Sequence, residues 1–195
     1  MTGESHIPIA ILAGGKSVRM GTDKAFIEVE GKTMIERTLD AANQCSGTVI
    51  IIANDTDKYA SFGVPVYPDK IPGMGPLSGL FTAFEATKSD AVMIAACDMP
   101  FISSEVISLI LGSYENGCGA VIPFVDGREQ GLCAVYEKSS LDAFRERIEK
   151  GTVQFNEFRL GIRKKRLDET LFRQVDAELR SFMNVNTREE LGGIG

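Results

Sequence analysis

The sequence predicts an α/β fold built on a mostly parallel sheet with helices on both faces, and two observations carry that expectation. Its apolar runs are continuous rather than alternating, as in strands that are buried on both sides. Segments with helical spacing separate them. At 195 residues and 44% apolar, the chain is long enough to bury a sizeable core, and the length favours a single domain over residues 1–195.

The elements follow in order. "IPIAIL" (residues 7–12) reads as a buried strand, and "MIERTLDAANQ" (34–44) repeats apolar residues at Met34, Ile35, Leu39 and Ala42, a helical period. "TVIIIAN" (48–54) is again a strand, which completes a first βαβ unit. A second unit runs from "VPVYPDK" (64–70) through a helix at 76–88 to the strand "AVMIAA" (91–96). A helix from about Ser103 to Glu115 comes next, then two more strands, "GAVIPFV" and "GLCAVY". Ser139, with Asp142 three residues on, predicts the N-cap of a helix ending near Lys150, and Thr187 with Glu190 fits a capping box at a last short helix.

Composition narrows the function. A net charge of -6 argues against nucleic acid as partner, because phosphate-backbone binding needs a basic face. The four cysteines form no C-x-x-C pair and His6 is the sole histidine, so a zinc site is not expected. The sequence shows no apolar run of the roughly 20 residues that span a bilayer and no leader pattern, which predicts a cytoplasmic protein with free thiols and no membrane partner. The charged segment "IRKKRLDE" (162–169) reads as an exposed strand or loop edge and receives no function.

The chemistry concentrates in "AILAGGKSVRMGTDKAF" (10–26). Residues 10–17 nearly match the phosphate-binding P-loop, with alanine in place of its first glycine. A P-loop must pass directly into a helix, whose N-terminal amides hold the phosphates. Here Lys16-Ser17 is followed by Val18-Arg19-Met20-Gly21, which has no apolar 3.6 period. A longer glycine and basic loop explains more of the residues. Gly14 and Gly15 let backbone N–H groups approach phosphate oxygens, and Arg19 and Lys24 add cations at a spacing suited to a triphosphate.

With that loop on the page, four blocks carry a resemblance. "LAGGKSVRMGTDK", "PDKIPGMGPLSGL" (68–80), "AACDMPF" (95–101) and "NVNTREEL" (184–191) together resemble the molybdenum cofactor guanylyltransferase family, in its order and spacing and over nearly the whole chain. The resemblance implies a three-layer, Rossmann-like nucleotidyltransferase fold. It also implies transfer of GMP from GTP to the terminal phosphate of molybdenum-bound molybdopterin, with transient contacts to cofactor-insertion proteins and acceptor molybdoenzymes.

The resemblance further implies residue roles. Asp98, just past a buried strand, takes Mg²⁺, which is held by one or two carboxylates with phosphate oxygens and waters. Asp69 contacts the guanosine, at base or ribose, since a carboxylate can accept hydrogen bonds from either. Leu12, Ala13 and Gly14 line the base, and Lys24 and Arg19 meet the phosphates. Gly73, Gly75 and Gly79, with Pro72 and Pro76, form a turn that approaches ligand closely and starts a helix. Asn54 contacts nucleotide or closes a turn after its strand. Asn184 and Asn186 reach the acceptor side or cap the last helix. At residues 128–131 the chain reads Arg128-Glu129-Gln130-Gly131, where the family presents glutamine or histidine before proline, and this departure falls on the acceptor side.

Other functions fit the same fold: a CTP-dependent molybdopterin or sugar-phosphate nucleotidyltransferase, and a non-catalytic GTP-binding regulator. Gly14-Gly15 favours guanine by analogy with the family, because its cytidylyl branch tends to carry alanine before glycine there. The sugar-phosphate branch lacks the "CDMPF" block. Intact Lys24 and Asp98 argue for catalysis.

Overall fold

The structure, a computed structural model, describes residues 7–13, 23–71 and 73–185. Gly14, Gly15, Arg19, Pro72, Asn186 and the expected helix at Thr187 lie outside the described residues.

Strand β1 (Ile9–Leu12) leads, past a 3-10 turn at Lys24–Phe26 and a small antiparallel hairpin of β2 (Glu28–Val29) and β3 (Lys32–Thr33), into α1 (Met34–Asn43). A capping box starts α1: the Thr33 hydroxyl accepts from the Glu36 N–H, and the Glu36 carboxylate accepts from the Thr33 N–H. Then follow β4 (Val49–Ile52), the short α2 (Thr56–Tyr59), β5 (Val66–Tyr67), α3 (Pro76–Thr87) and β6 (Ala91–Ala96). The second half comprises α4 (Ser104–Gly112), β7 (Ala120–Val125), β8 (Arg128–Glu129) and β9 (Cys133–Glu137). It ends with α5 (Lys138–Asp142), α6 (Arg145–Glu149), α7 (Phe155–Gly161), β10 (Lys165–Asp168) and α8 (Glu169–Phe172).

The main sheet runs β10-β7-β9-β6-β1-β4-β5, with β8 paired to β7. Strands β6, β1, β4 and β5 are parallel, as is β10 on β7. Strand β9 is antiparallel to both β6 and β7 and joins the two halves. The expected fold class therefore holds, in three layers. Ile9, Ile11, Met93 and Ala95 pack into one core with Leu39 of α1 and Ile110 of α4, whereas Ala10, Val92 and Ile94 pack into the other with Leu80 of α3 and Phe158 of α7. A strand points successive side chains to opposite faces, so a strand covered on both sides must be apolar at every position. The runs "IAIL" and "AVMIAA" follow from this.

Ser139 does not cap the helix expected to end near Lys150. Strand β9 passes directly into α5 with Glu137 at the N-cap and no side-chain cap bond; Ser139 lies inside the helix. The Glu137 carboxylate is instead occupied by the turn before β7: it accepts from the N–H groups of Gly117 and Gly119 and from the Tyr114 hydroxyl. The helix is also broken in two, with Ala143 at the C-cap of α5 and Phe144 at the N-cap of α6.

The chain leaves β1 toward β4 and β5 on one side, then returns through α3 to β6 on the other. The strand order reverses at β1, between β4 and β6, and the C-terminal ends of the strands at such a reversal are where ligands bind in open α/β sheets. Gly75, which precedes α3 at this edge, has φ 58° and ψ -138°, a conformation that only glycine adopts without strain. A Cβ at Gly75 meets nothing within 4 Å, so the cost of Gly75→Ala is backbone strain alone. We expect that variant to lose about 1–3 kcal/mol of stability, a fall of about 2–12 °C in thermal midpoint for a chain of this size. An unchanged midpoint in a calorimetric scan would show that the turn relaxes freely.

Candidate active site

Four parallel strand ends deliver the polar residues of one cleft. β1 ends at Leu12, β4 is followed by Asn54, β5 by Asp69 and β6 by Asp98. The cleft has two connected compartments. An inner one of about 210 Å³ is lined by Leu12, Lys24, Asp69, Gly75, Gly79 and Asp98. An outer one of about 1060 Å³ includes Ala13, Asn54, Glu129, Gln130, Arg159 and Asn184. Asp23, Asp69, Gly75, Pro76 and Leu132 line both.

The structure thus brings together all the described residues singled out in the sequence. Lys24 opens the 3-10 turn whose N-cap, Asp23, accepts from the Ala25 N–H at 3.2 Å. Asp69 is positioned by Asn54, whose Oδ1 accepts from the Asp69 N–H at 3.1 Å. That bond gives Asn54 a definite structural role at its strand end. Helix α3 supplies two further braces, the Ser78 and Thr82 hydroxyls, which accept from the N–H groups of Ile71 and Lys70. Gly79 sits where β1 presses on α3: a Cβ there would lie 2.7 Å from Leu12 Cδ2. The "NVN" block reaches the site through Val185, whose N–H donates to the Asp98 carbonyl at 2.9 Å and carries Asn184 to the outer compartment.

Electrostatics single out the two aspartates. Among the described residues, the buried side-chain polar atoms without a hydrogen-bond partner are Asp69 Oδ1 and Asp98 Oδ1. Such atoms are rare because each costs about 1–3 kcal/mol of desolvation, more when charged. Burial pushes the Asp98 carboxyl above the ordinary carboxylate value, and the charge of nearby Lys24 opposes the shift. Burial likewise raises Asp69, with the Ser78 hydroxyl opposing.

Several lining residues escaped the sequence reading. Asp23 holds the Lys24 turn and accepts from the hydroxyl of Tyr59 at 2.9 Å, a ring 1% exposed. An Asp immediately before a Lys-containing turn is a legible N-cap signal, but its tie to Tyr59, 36 positions away, is not. Gln154 and Arg159 come from the start and body of α7, far from the recognisable blocks, whereas Glu129 and Gln130 fall in the stretch 128–131 already marked on the acceptor side. Among the described residues, no group of three or more His, Cys, Asp or Glu side chains is arranged to hold a metal, and no helix is long and apolar enough to cross a membrane. The four cysteines are free thiols.

Sheet order, switch point and cleft define an α/β protein of the nucleotidyltransferase class. A profile of the MobA-like NTP transferase domain matches residues 9–159. The chain is 36% identical over 184 residues to a "Probable molybdenum cofactor guanylyltransferase" of Clostridium perfringens (strain SM101 / Type A), covering 93% of this chain and 92% of that one. It is 32% identical to the molybdenum cofactor guanylyltransferase of Desulfosudis oleivorans, with 93% and 90% covered. Among solved structures, molybdopterin-guanine dinucleotide biosynthesis protein A from Archaeoglobus fulgidus superimposes with a TM-score of 0.80 at 26% identity over 96% of each chain. The chain belongs to the MobA-like NTP transferase family.

The raised Asp69 carboxyl has a consequence for the ligand-free protein. Its folded-state pKa lies above the unfolded one, so the native state binds the proton more tightly and the penalty for ionising Asp69 grows as pH rises through the folded value. Asp69→Asn should therefore raise the thermal midpoint of the ligand-free protein at pH 7, and the gain should vanish below the unfolded carboxylate pKa of about 3.9. A midpoint difference that is flat between pH 3 and pH 7 would contradict this.

Proposed function

We propose that this protein transfers GMP from GTP to molybdenum-bound molybdopterin, yielding molybdopterin guanine dinucleotide and pyrophosphate, in the cytoplasm. The observation that carries the reading is the buried, unpartnered oxygen of Asp98, a residue that lines one compartment with Lys24 and Asp69. The names of the relatives agree with it.

In this reading GTP lies over the C-terminal edge of β1, with the base against Leu12 and Ala13 and the guanosine held by Asp69, at base or ribose. Gly14 and Gly15 present backbone N–H groups to the phosphates, with Lys24 and Arg19 as cations, and Gly75 keeps the wall of the site free of side chain. Asn54 acts by holding Asp69 in place. The acceptor enters the outer compartment beside Asn184 and Asn186. A phosphate oxygen of the acceptor attacks the α-phosphorus in line; one P–O bond forms, the bond to pyrophosphate breaks, and no covalent enzyme intermediate arises. A phosphate dianion is nucleophilic at pH 7, so no general base is required. Lys24 and Arg19 stabilise charge developing on the leaving group. The product then passes, through transient contacts, to insertion proteins and acceptor molybdoenzymes.

Asp98 suits Mg²⁺. The ion prefers carboxylate oxygen, keeps most of its shell for phosphates and water, and would satisfy the orphaned Oδ1 while removing the cost of its buried charge. Bound there, Mg²⁺ would act as a Lewis acid on the phosphates.

Two experiments test the reading. In a nucleotide competition with molybdopterin present, GTP should bind about tenfold or more tighter than CTP or ATP, the cost of leaving one charged hydrogen-bonding group unpaired, and it alone should yield a pterin dinucleotide. Equal or tighter CTP binding would reassign the base. Asp98→Asn keeps the shape and removes the charge, and should lower turnover by about two orders of magnitude while the protein stays folded, with partial recovery at high Mg²⁺. Turnover near the wild-type rate at low Mg²⁺ would remove Asp98 from the metal site.

A further inference from the structure

A charge cluster that the transfer step does not use borders the outer compartment, which Glu129 and Arg159 line. Glu129 of β8 has a side chain only 4% exposed, and three cations surround its carboxylate: Arg159 in direct contact, Lys164 at 3.3 Å and Arg166 at 2.7 Å. Arg159 and Lys164 are themselves largely buried, at 17% and 13% exposure. A structural ion pair needs one cation per carboxylate. Here the surplus is positive, and Arg159 and Glu129 both line the outer compartment. Burial and the charge of Arg166 pull the Arg159 guanidinium below its ordinary pKa, as repulsion between crowded cations does.

The local chain is shaped for Arg159. Its aliphatic stem crosses Gly131, where a Cβ would lie 2.7 Å from Arg159 Cδ and 3.2 Å from the Phe155 ring. Gly131 is itself pinned by the Tyr136 hydroxyl, which donates to its carbonyl at 2.8 Å. The Lys164 ammonium donates to the Arg159 carbonyl at 2.6 Å, fixing the end of α7. The departure at residues 128–131 and the basic segment at 162–169, which had no function in the sequence, thus meet around one guanidinium. A guanidinium carries five N–H donors in a fixed fork, and one carboxylate satisfies only part of it.

We propose that Arg159, oriented by Glu129, docks an oxyanion of the acceptor in the outer compartment, so that Arg159 is an acceptor-binding residue and Glu129 a positioning residue. The inference rests on the function proposed above, because it assumes that the acceptor occupies this compartment. An oxyanion here has two conceivable sources, the acceptor and the phosphate tail of GTP. The acceptor is favoured because Lys24 and Asp98 line only the inner compartment and Arg159 only the outer.

The test uses the full-length protein. The Kd for molybdopterin is measured by calorimetry without nucleotide, and KM values for molybdopterin and for GTP are each measured at saturating co-substrate. Arg159→Gln should raise the molybdopterin Kd and KM about tenfold or more, with the GTP KM within about twofold of wild type. Glu129→Gln should do the same without touching the ligand. Arg159→Lys, which keeps charge and stem, should recover part of the loss and supplies the comparison if Arg159→Gln does not fold. A molybdopterin Kd within about twofold of wild type in folded Arg159→Gln overturns the inference, as does a rise confined to the GTP KM or to a lowered thermal midpoint. If the wild type binds molybdopterin but makes no dinucleotide, the proposed reaction fails, and the Kd comparison still decides the role of Arg159. If the wild type does not bind molybdopterin, both fall.

Discussion

The whole site depends on one constraint: β1 lies between β4 and β6, hydrogen-bonded in parallel to both. A chain that must cover both faces of such a strand runs outward through α1 on one face and returns through α3 on the other. The strand order thus reverses at β1, and the cleft lies along the C-terminal ends of β1, β4, β5 and β6. Asp98, Lys24, Asp69 and Asn54 come together for this reason, although they span 75 positions of sequence.

The two halves of the cleft handle buried charge in opposite ways. In the inner compartment Asp69 and Asp98 each keep an oxygen without a hydrogen-bond partner among the described residues, a cost that is a large fraction of a typical stability of about 5–15 kcal/mol. Carboxylates held in this way are poised to gain from a cation or a hydrogen-bond donor supplied by ligand. At the wall of the outer compartment formed by Glu129 and Arg159, one carboxylate meets three cations, and that local excess favours an anion. The cleft thus holds both unsatisfied acceptors, at Asp69 and Asp98, and a local surplus of cations, around Glu129. A nucleotide with a metal at one end and an anionic acceptor at the other suit that arrangement.

Much of the fold was legible because burial on both faces writes itself into local sequence. The unbroken apolar strands 9–12, 49–52 and 91–96 and the period of α1 needed no knowledge of partners. The break at Phe144 and the misplaced cap at Ser139 were not legible. What occupies the Glu137 carboxylate is a turn about twenty positions earlier, at Gly117 and Gly119, and competition for a carboxylate by distant N–H groups leaves no local trace. In the site, Lys24, Asp69 and Asp98 were found through recognisable blocks, whereas Asp23 with Tyr59 and Glu129 with Arg159 were found only in three dimensions.

By itself the sequence determined the class of fold and the position of the buried central strands, because burial on both faces sets the period of neighbouring residues, and it offered the Gly-rich and acidic blocks as the expected nucleotide site. Only the tertiary structure decided that β9 runs antiparallel between the two halves, that Asn54 holds Asp69, and that residues 128–131 and 162–169 enclose one buried carboxylate. Strand order and long-range ion pairing depend on which distant segments share a core. That choice is made by the packing of the whole chain, and no window of sequence contains it.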